Sequence, residues 1–184
     1  MTNIKNYIYE KHKGRDKDKE EFLSLAKHVI ENEKIQEMKK YNHHSQTNCF
    51  THSLHVAYYN YVVCKMAGLD VEAGVRAGLM HDMFLYDWHT RKPQPGERLH
   101  GFEHPKKALQ NASDCFDLSD REIDMISKHM FPLTISVPKY KETFVIVMTD
   151  KFCSSCEVLD RFFKKKSRRL VHFAKLRKQM EKIH

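Results

Sequence analysis

An all-α fold is what this sequence predicts, and two observations carry the prediction. Apolar residues return at three- and four-residue intervals in one segment after another, the period of a helix with one buried face. Residues that start and stop helices stand at the ends of those segments. A charged run from Lys11 to Glu21 leads into the first segment, which carries Phe22, Leu25, Ala26, Val29 and Ile30. A second helix is expected from about Asn48 to Ala67, with Phe50, Leu54, Tyr58, Tyr61 and Val62 on one stripe and Gly68 as its stop. Asp70 can cap a third, which carries Val71, Val75, Leu79 and Met80. Asp87 to Leu99 contains Pro93, Pro95 and Gly96 and reads as an exposed loop. Pro105 suits the first turn of a short helix ending near Ala112. Ser119 and Glu122 have the spacing of a capping box ahead of Ile123 and Ile126. Pro132 and Pro138 bracket a break. From Lys141 the pattern is helical again, although the β-branched run Thr143 to Thr149 fits a buried strand equally well on periodicity alone. Leu170, Phe173, Leu176 and Met180 follow at helical spacing.

Composition narrows the classes of function. A length of 184 residues matches one domain. No stretch approaches the ~18 consecutive apolar residues of a membrane helix, and Met1 to Glu20 lacks the apolar region of a signal peptide. Five cysteines are an odd number without framework spacing, the pattern of reduced thiols. A cytoplasmic location without a membrane partner is therefore expected. The net charge of +8 favours phosphate-bearing partners, nucleotide or nucleic acid, without choosing between them. The composition is unusual mainly in its 13 histidines, side chains suited equally to metal ligation and to proton transfer near neutral pH.

The doublet His81–Asp82 means little alone, since this composition supplies about one such pair by chance. Its surroundings carry the signal. His52 opens His52-Ser53-Leu54-His55-Val56-Ala57 on the second helix, and His81–Asp82 closes the third. His104 precedes Pro105, His129 ends a capped helix, and Asp150-Lys151 follows the apolar run Phe144 to Met148. The order is His, His-Asp, His, His, Asp, each member beside an apolar segment that can hold it rigid.

In this order the chain resembles the HD-domain superfamily of metal-dependent phosphohydrolases, over about residues 42–157. The resemblance implies a single HD-domain helical bundle with the metal site between central helices, followed by a basic C-terminal helix over 158–184. By the resemblance, His52, His81, Asp82 and Asp150 are the defining ligands, and His104 and His129 match an added pair that holds a second ion. Imidazole and carboxylate together suit a divalent transition metal (Fe, Mn, Zn, Co or Ni). Adjacent helical residues point ~100° apart, so His81 and Asp82 can serve one ion together only if Asp82 reaches sideways as a bridging carboxylate. The implied activity is hydrolysis of a phosphoester or phosphoanhydride in a nucleotide-like small molecule, with Asp82 and Lys151 as catalytic residues and His44, Arg76 and Lys151 as substrate contacts. Two family features are missing. Met83-Phe84-Leu85-Tyr86-Asp87 stands where many relatives have a lysine, and the tyrosine-proline signature of the cyclic-dinucleotide phosphodiesterases is absent. The alternatives are a non-catalytic metal- and nucleotide-binding sensor and a nucleic-acid-binding protein that uses the basic C-terminal segment.

Other motifs have simpler readings. His100-Gly101-Phe102-Glu103-His104 matches a zinc-peptidase pattern that needs a continuous helix, which Gly101 and Pro105 argue against. Cys153-Ser154-Ser155-Cys156 lacks a second cysteine pair and reads as part of a packed helix. His55 shares a helical face with His52 and is expected beside the ligands, and His43 and His44 are expected at the cleft mouth. The basic cluster Lys164 to Arg169 has no interleaved aromatics, so a solvated face is favoured over a nucleic-acid surface.

Overall fold

A computed structural model describes residues 4–43, 47–91, 96–97 and 99–163, and within those bounds the side chains from 17 to 159. The described residues are all-α. The helices are α1 (Ile4–Ile30), α2 (Glu33–Glu37), α3 (Cys49–Ala67), α4 (Val71–Met80), α5 (His100–Ser113), α6 (Asp120–Lys128) and α7 (Lys141–Phe163), with a 3-10 turn at Met38–Lys40. No strand forms among them; one isolated bridge joins Asn42 to Asn48. No helix among the described residues is long and apolar enough to cross a membrane. His44, the cluster 164–169 and the segment 170–180 lie outside the described residues.

Local chemistry sets most helix ends. The Asn48 side chain accepts from the Thr51 amide and the Asp70 side chain from the Ala73 amide. Gly68 ends α3 in the left-handed conformation, at φ 63°. Ser119 and Glu122 complete the capping box with bonds in both directions. The ambiguous run 143–149 is helical, inside α7. Its one buried stripe includes Thr143, Ile146, Val147 and Asp150, a helical spacing that no strand pattern reproduces.

Three expectations are corrected. α1 begins at Ile4, so the charged run belongs to the helix instead of preceding it. α5 begins at His100, which places Pro105 in the second turn; burial of His104, Ala108 and Ala112 along one face holds the extra turn. The boundary expected at residue 158 falls inside α7.

The core forms where α3 packs on α4 and α7, with α1 against α4 and α6 bridging α4, α5 and α7. α3 and α4 approach closely at Gly78, where a Cβ would lie 2.6 Å from the Ala57 Cα. Asn60 is fully buried and ties three helices, donating to Gly74 O at 2.9 Å and accepting from Thr149 Oγ1 at 2.6 Å. These contacts fix the register of α3, α4 and α7, the helices that carry His52, His81 and Asp150.

Candidate metal centre

His52 lies in the first turns of α3, His81 ends α4, His104 stands on α5, His129 ends α6 and Asp150 lies midway along α7. Five helices thus bring six residues, counting Asp82, around one point, and all six are buried. His52 Nε2 is 3.1 Å from Asp150 Oδ1 and 3.9 Å from Asp82 Oδ2. His81 Nε2 lies 3.6 Å from Asp82 Oδ2 and 3.8 Å from Asp150 Oδ1. On the other side, His104 Nε2 and His129 Nε2 are 2.8 Å apart and lie 3.4 and 3.7 Å from Asp82 Oδ1. Asp82 therefore turns one carboxylate oxygen toward His52 and His81 and the other toward His104 and His129.

The hydrogen bonds on the far side of each ring show which nitrogen is free. Nδ1 of His81 lies 2.9 Å from Gly78 O, that of His104 3.0 Å from His100 O, and that of His129 2.8 Å from Ile126 O. A carbonyl can only accept, so each Nδ1 carries the proton and each Nε2 of a neutral ring carries a lone pair. Two such lone pairs face each other at 2.8 Å between His104 and His129, and buried His81 Nε2 has no hydrogen-bond partner. Unsatisfied buried acceptors are costly. A cation satisfies all three.

Electrostatics agree. Burial pushes the His129 imidazole down to about 3, with His104 and His81 adding to the effect, and burial likewise lowers His104. Burial would also lower His52, but the Glu157 and Asp150 carboxylates outweigh it and raise its pKa to about 9. Asp82 and Asp150 would be raised by burial, yet the surrounding histidines hold both well below the ordinary carboxylate range. The cluster thus joins carboxylates held ionised to two imidazoles kept neutral by burial, His104 and His129, and to two, His52 and His81, that the carboxylates raise and that would release a proton on binding an ion. Imidazole and carboxylate together are a donor set for a transition ion.

The fit to such an ion is geometric as well. Bonds of about 2.0–2.2 Å place ligand atoms about 3–4 Å apart, and the separations on both sides of Asp82 fall near that range. One atom each from His52, His81 and Asp150 lies within 4.8 Å of the others, as do atoms from His81, Asp82 and His129.

A cleft of ≈ 1040 Å³ opens onto Asp82, His104, His129 and Asp150. Lys151 lines it, with Nζ 2.9 Å from Phe131 O, and burial lowers the pKa of this ammonium. Tyr86, Trp88, Leu99 and Leu133 form apolar walls. The turn after the doublet delivers two of them: the Phe84 amide bonds back to Asp82 O at 2.8 Å, and Leu85 takes the left-handed conformation at φ 52°. Trp88 Nε1 then donates to His43 O, and its ring stacks on His100.

Arg76 is not brought to this cleft. Its guanidinium bonds to Glu122 and, at 3.0 Å, to Asp117 O, beside a separate cavity of ≈ 490 Å³. A helix position cannot reveal in sequence which neighbour its side chain will meet, and here that neighbour is a buried carboxylate 46 residues away. The helix objection to the His100–His104 motif also falls, since both rings lie on α5 and stack at 4.6 Å. His100 Nδ1 is bonded to Tyr86 Oη at 2.9 Å.

Two residues join the cluster without a place in the ordered set. His43 stacks on His52 at 3.6 Å and reaches Asp82 Oδ2 at 3.0 Å, deeper than a position at the cleft mouth. Glu157 lies 3.1 Å from His52 Nδ1 and 3.5 Å from His55 Nδ1. Its signal in the sequence was available, seven residues after Asp150 on one helix face. Cys153 is buried on α7 and Cys156 partly so, and neither is in a disulfide. Comparison of the chain with family models, with curated proteins and with solved structures gives no match.

Proposed function

We propose that the protein is an HD-type metal-dependent phosphohydrolase acting on a phosphoester or phosphoanhydride, with a nucleotide-like compound as substrate. One observation carries the reading: four buried histidines have Nδ1 tied to an acceptor, and their Nε2 atoms surround one carboxylate that faces both ways. His52, His81, Asp82 and Asp150 would hold an inner ion, and Asp82, His104 and His129 an outer one. Two such ions supply Lewis-acid polarisation of a phosphoryl oxygen and activation of water.

The chain's own groups do the rest. Backbone carbonyls one turn back hold the His81, His104 and His129 rings, and Glu157 holds that of His52, so little reorganisation is needed when charge develops at phosphorus. Lys151, on the cleft wall beside Asp150, offsets negative charge on the phosphoryl oxygens. Tyr86, Trp88, Leu99 and Leu133 exclude water and seat the organic part of the substrate.

Metal analysis of purified protein, together with hydrolysis assays on a nucleotide panel and a generic phosphodiester, tests the proposal. About two transition ions per chain and turnover that falls at least ~10²-fold in Asp82→Asn are expected. Tight metal-dependent binding of a phosphorylated compound without any turnover would instead establish the sensor.

A further inference from the structure

Helix α7 sets two carboxylates, Asp150 and Glu157, seven residues apart, and seven residues bring a helix back to within ~20° of the same face. The His52 ring lies between them. Its Nε2 is 3.1 Å from Asp150 Oδ1, and its Nδ1 is 3.1 Å from Glu157 Oε1. The Nδ1 atoms of His81, His104 and His129 rest on backbone carbonyls, so His52 alone among the four has a carboxylate in that position. Glu157 is buried, with 6% of its surface exposed, and no lysine or arginine pairs with it among the described residues. Its neighbours are imidazoles, with His43 Nδ1 and His55 Nδ1 each 3.5 Å away.

A buried carboxylate kept without a fixed cationic partner is costly unless its charge serves the groups around it. We infer that Glu157 is a positioning residue for His52: it holds the Nδ1 proton, turns the Nε2 lone pair toward Asp82 and Asp150, and strengthens that imidazole as a donor to the inner ion. This rests on the two-ion reading above. It makes the two ion positions unequal. The inner ion has a carboxylate behind one of its imidazoles, whereas His104 and His129 have only carbonyls behind theirs, so the outer ion is the weaker and more exchangeable of the two.

Titration of the full chain with Co(II) alone, followed by its visible absorption, tests this. The His104→Ala/His129→Ala background isolates the inner ion, and Glu157→Gln and Glu157→Ala are compared in both backgrounds. Gln still accepts the Nδ1 proton but lacks the charge; Ala does neither. Inner-ion affinity should fall ~10–100-fold in Glu157→Ala and by less in Glu157→Gln, with a shifted inner-ion spectrum and an unchanged outer-ion affinity. Affinities and spectra equal to wild type in both variants would overturn the inference while leaving the metal reading intact. An equal loss at both ions would show general loosening and overturn it too. If Glu157→Ala does not fold, the isosteric Gln variant decides alone, and a wild-type spectrum there rejects the role. A wild-type chain that takes up no Co(II) would end both the inference and the metal reading.

Discussion

Helix α4 carries a polar cluster toward each end, half-buried at the first and buried at the second, and the two are built on opposite principles. Near the N-terminal end, carboxylates meet arginines: Glu122 pairs with Arg76, and Asp70 and Glu142 lie 2.6 and 3.5 Å from Arg121. Every one of those charges has a fixed partner of opposite sign. At the C-terminal end, Asp82 and Asp150 pair with imidazoles instead of arginines, and at least one buried nitrogen, His81 Nε2, has no hydrogen-bond partner. Both clusters are acidic and adjoin a cavity, so burial and acidity alone do not mark a functional site. The difference is charge pairing. The arginine cluster sets each carboxylate against a fixed cation of the protein, whereas the histidine cluster sets its carboxylates against imidazoles that could hold a metal ion.

The comparison can be broken at either end. The largest effect is expected at the arginine cluster, where Arg76→Ala leaves Glu122 buried without its cation. A loss of about 3 kcal/mol is expected in urea unfolding, with metal content unchanged. A loss of metal in this variant would show that the two clusters are not independent. At the histidine cluster, an ion bound to the folded state alone adds about 2.7 kcal/mol at a hundred times its Kd. Chelation should therefore lower Tm in wild type and in Arg76→Ala alike, and by less in His52→Ala, which keeps only the outer ligands Asp82, His104 and His129. Insensitivity of the wild-type Tm to chelator would count against the cation.

A smaller effect sharpens the contrast. Asp124 belongs with the satisfied carboxylates: Oδ2 accepts from the Lys139 amide at 2.9 Å and from Thr143 Oγ1 at 2.6 Å, and Lys128 pairs with Oδ1. Burial would raise its pKa, but Lys128, Thr143 and the two backbone amides of Lys139 and Tyr140 hold it below the ordinary value. The ionised form is thus favoured by folding. Its stabilisation is complete above the unfolded-state pKa of about 3.9 and is lost as pH falls through the lower folded value. Asp124→Asn should cost about 1.5 kcal/mol at neutral pH and flatten the acid limb of stability against pH. An unchanged acid limb would assign that dependence to other groups.

How far the sequence could be read followed the range of the interactions involved. The Asp70 cap, the Gly68 stop and the Ser119–Glu122 box are complete within about one helical turn, and all three form as the residues imply. The start of α5 was misread because its extra turn is held by burial against α6 and α4, which outweighs the local signal of Pro105. Within the cluster, order along the chain selected six residues that the helices gather around one point. It missed Glu157 and sent Arg76 to the wrong cavity.

That the chain is helical, where most helices are capped, and that histidines and aspartates stand at the ends and faces of apolar segments are all legible in the residues alone. These properties follow from backbone preference and periodicity, which each segment expresses alone. It took the packing of the helices to decide that Asp82 faces two sets of imidazoles, that α7 clamps His52 between two carboxylates, and that Arg76 is consumed by Glu122. Those arrangements depend on the register of helices packed across 22 to 105 residues of chain, set by contacts such as Gly78 on Ala57 and Asn60 between α4 and α7. A shift of one residue in that packing turns a helical side chain by ~100°, enough to separate every pair on which the site is built.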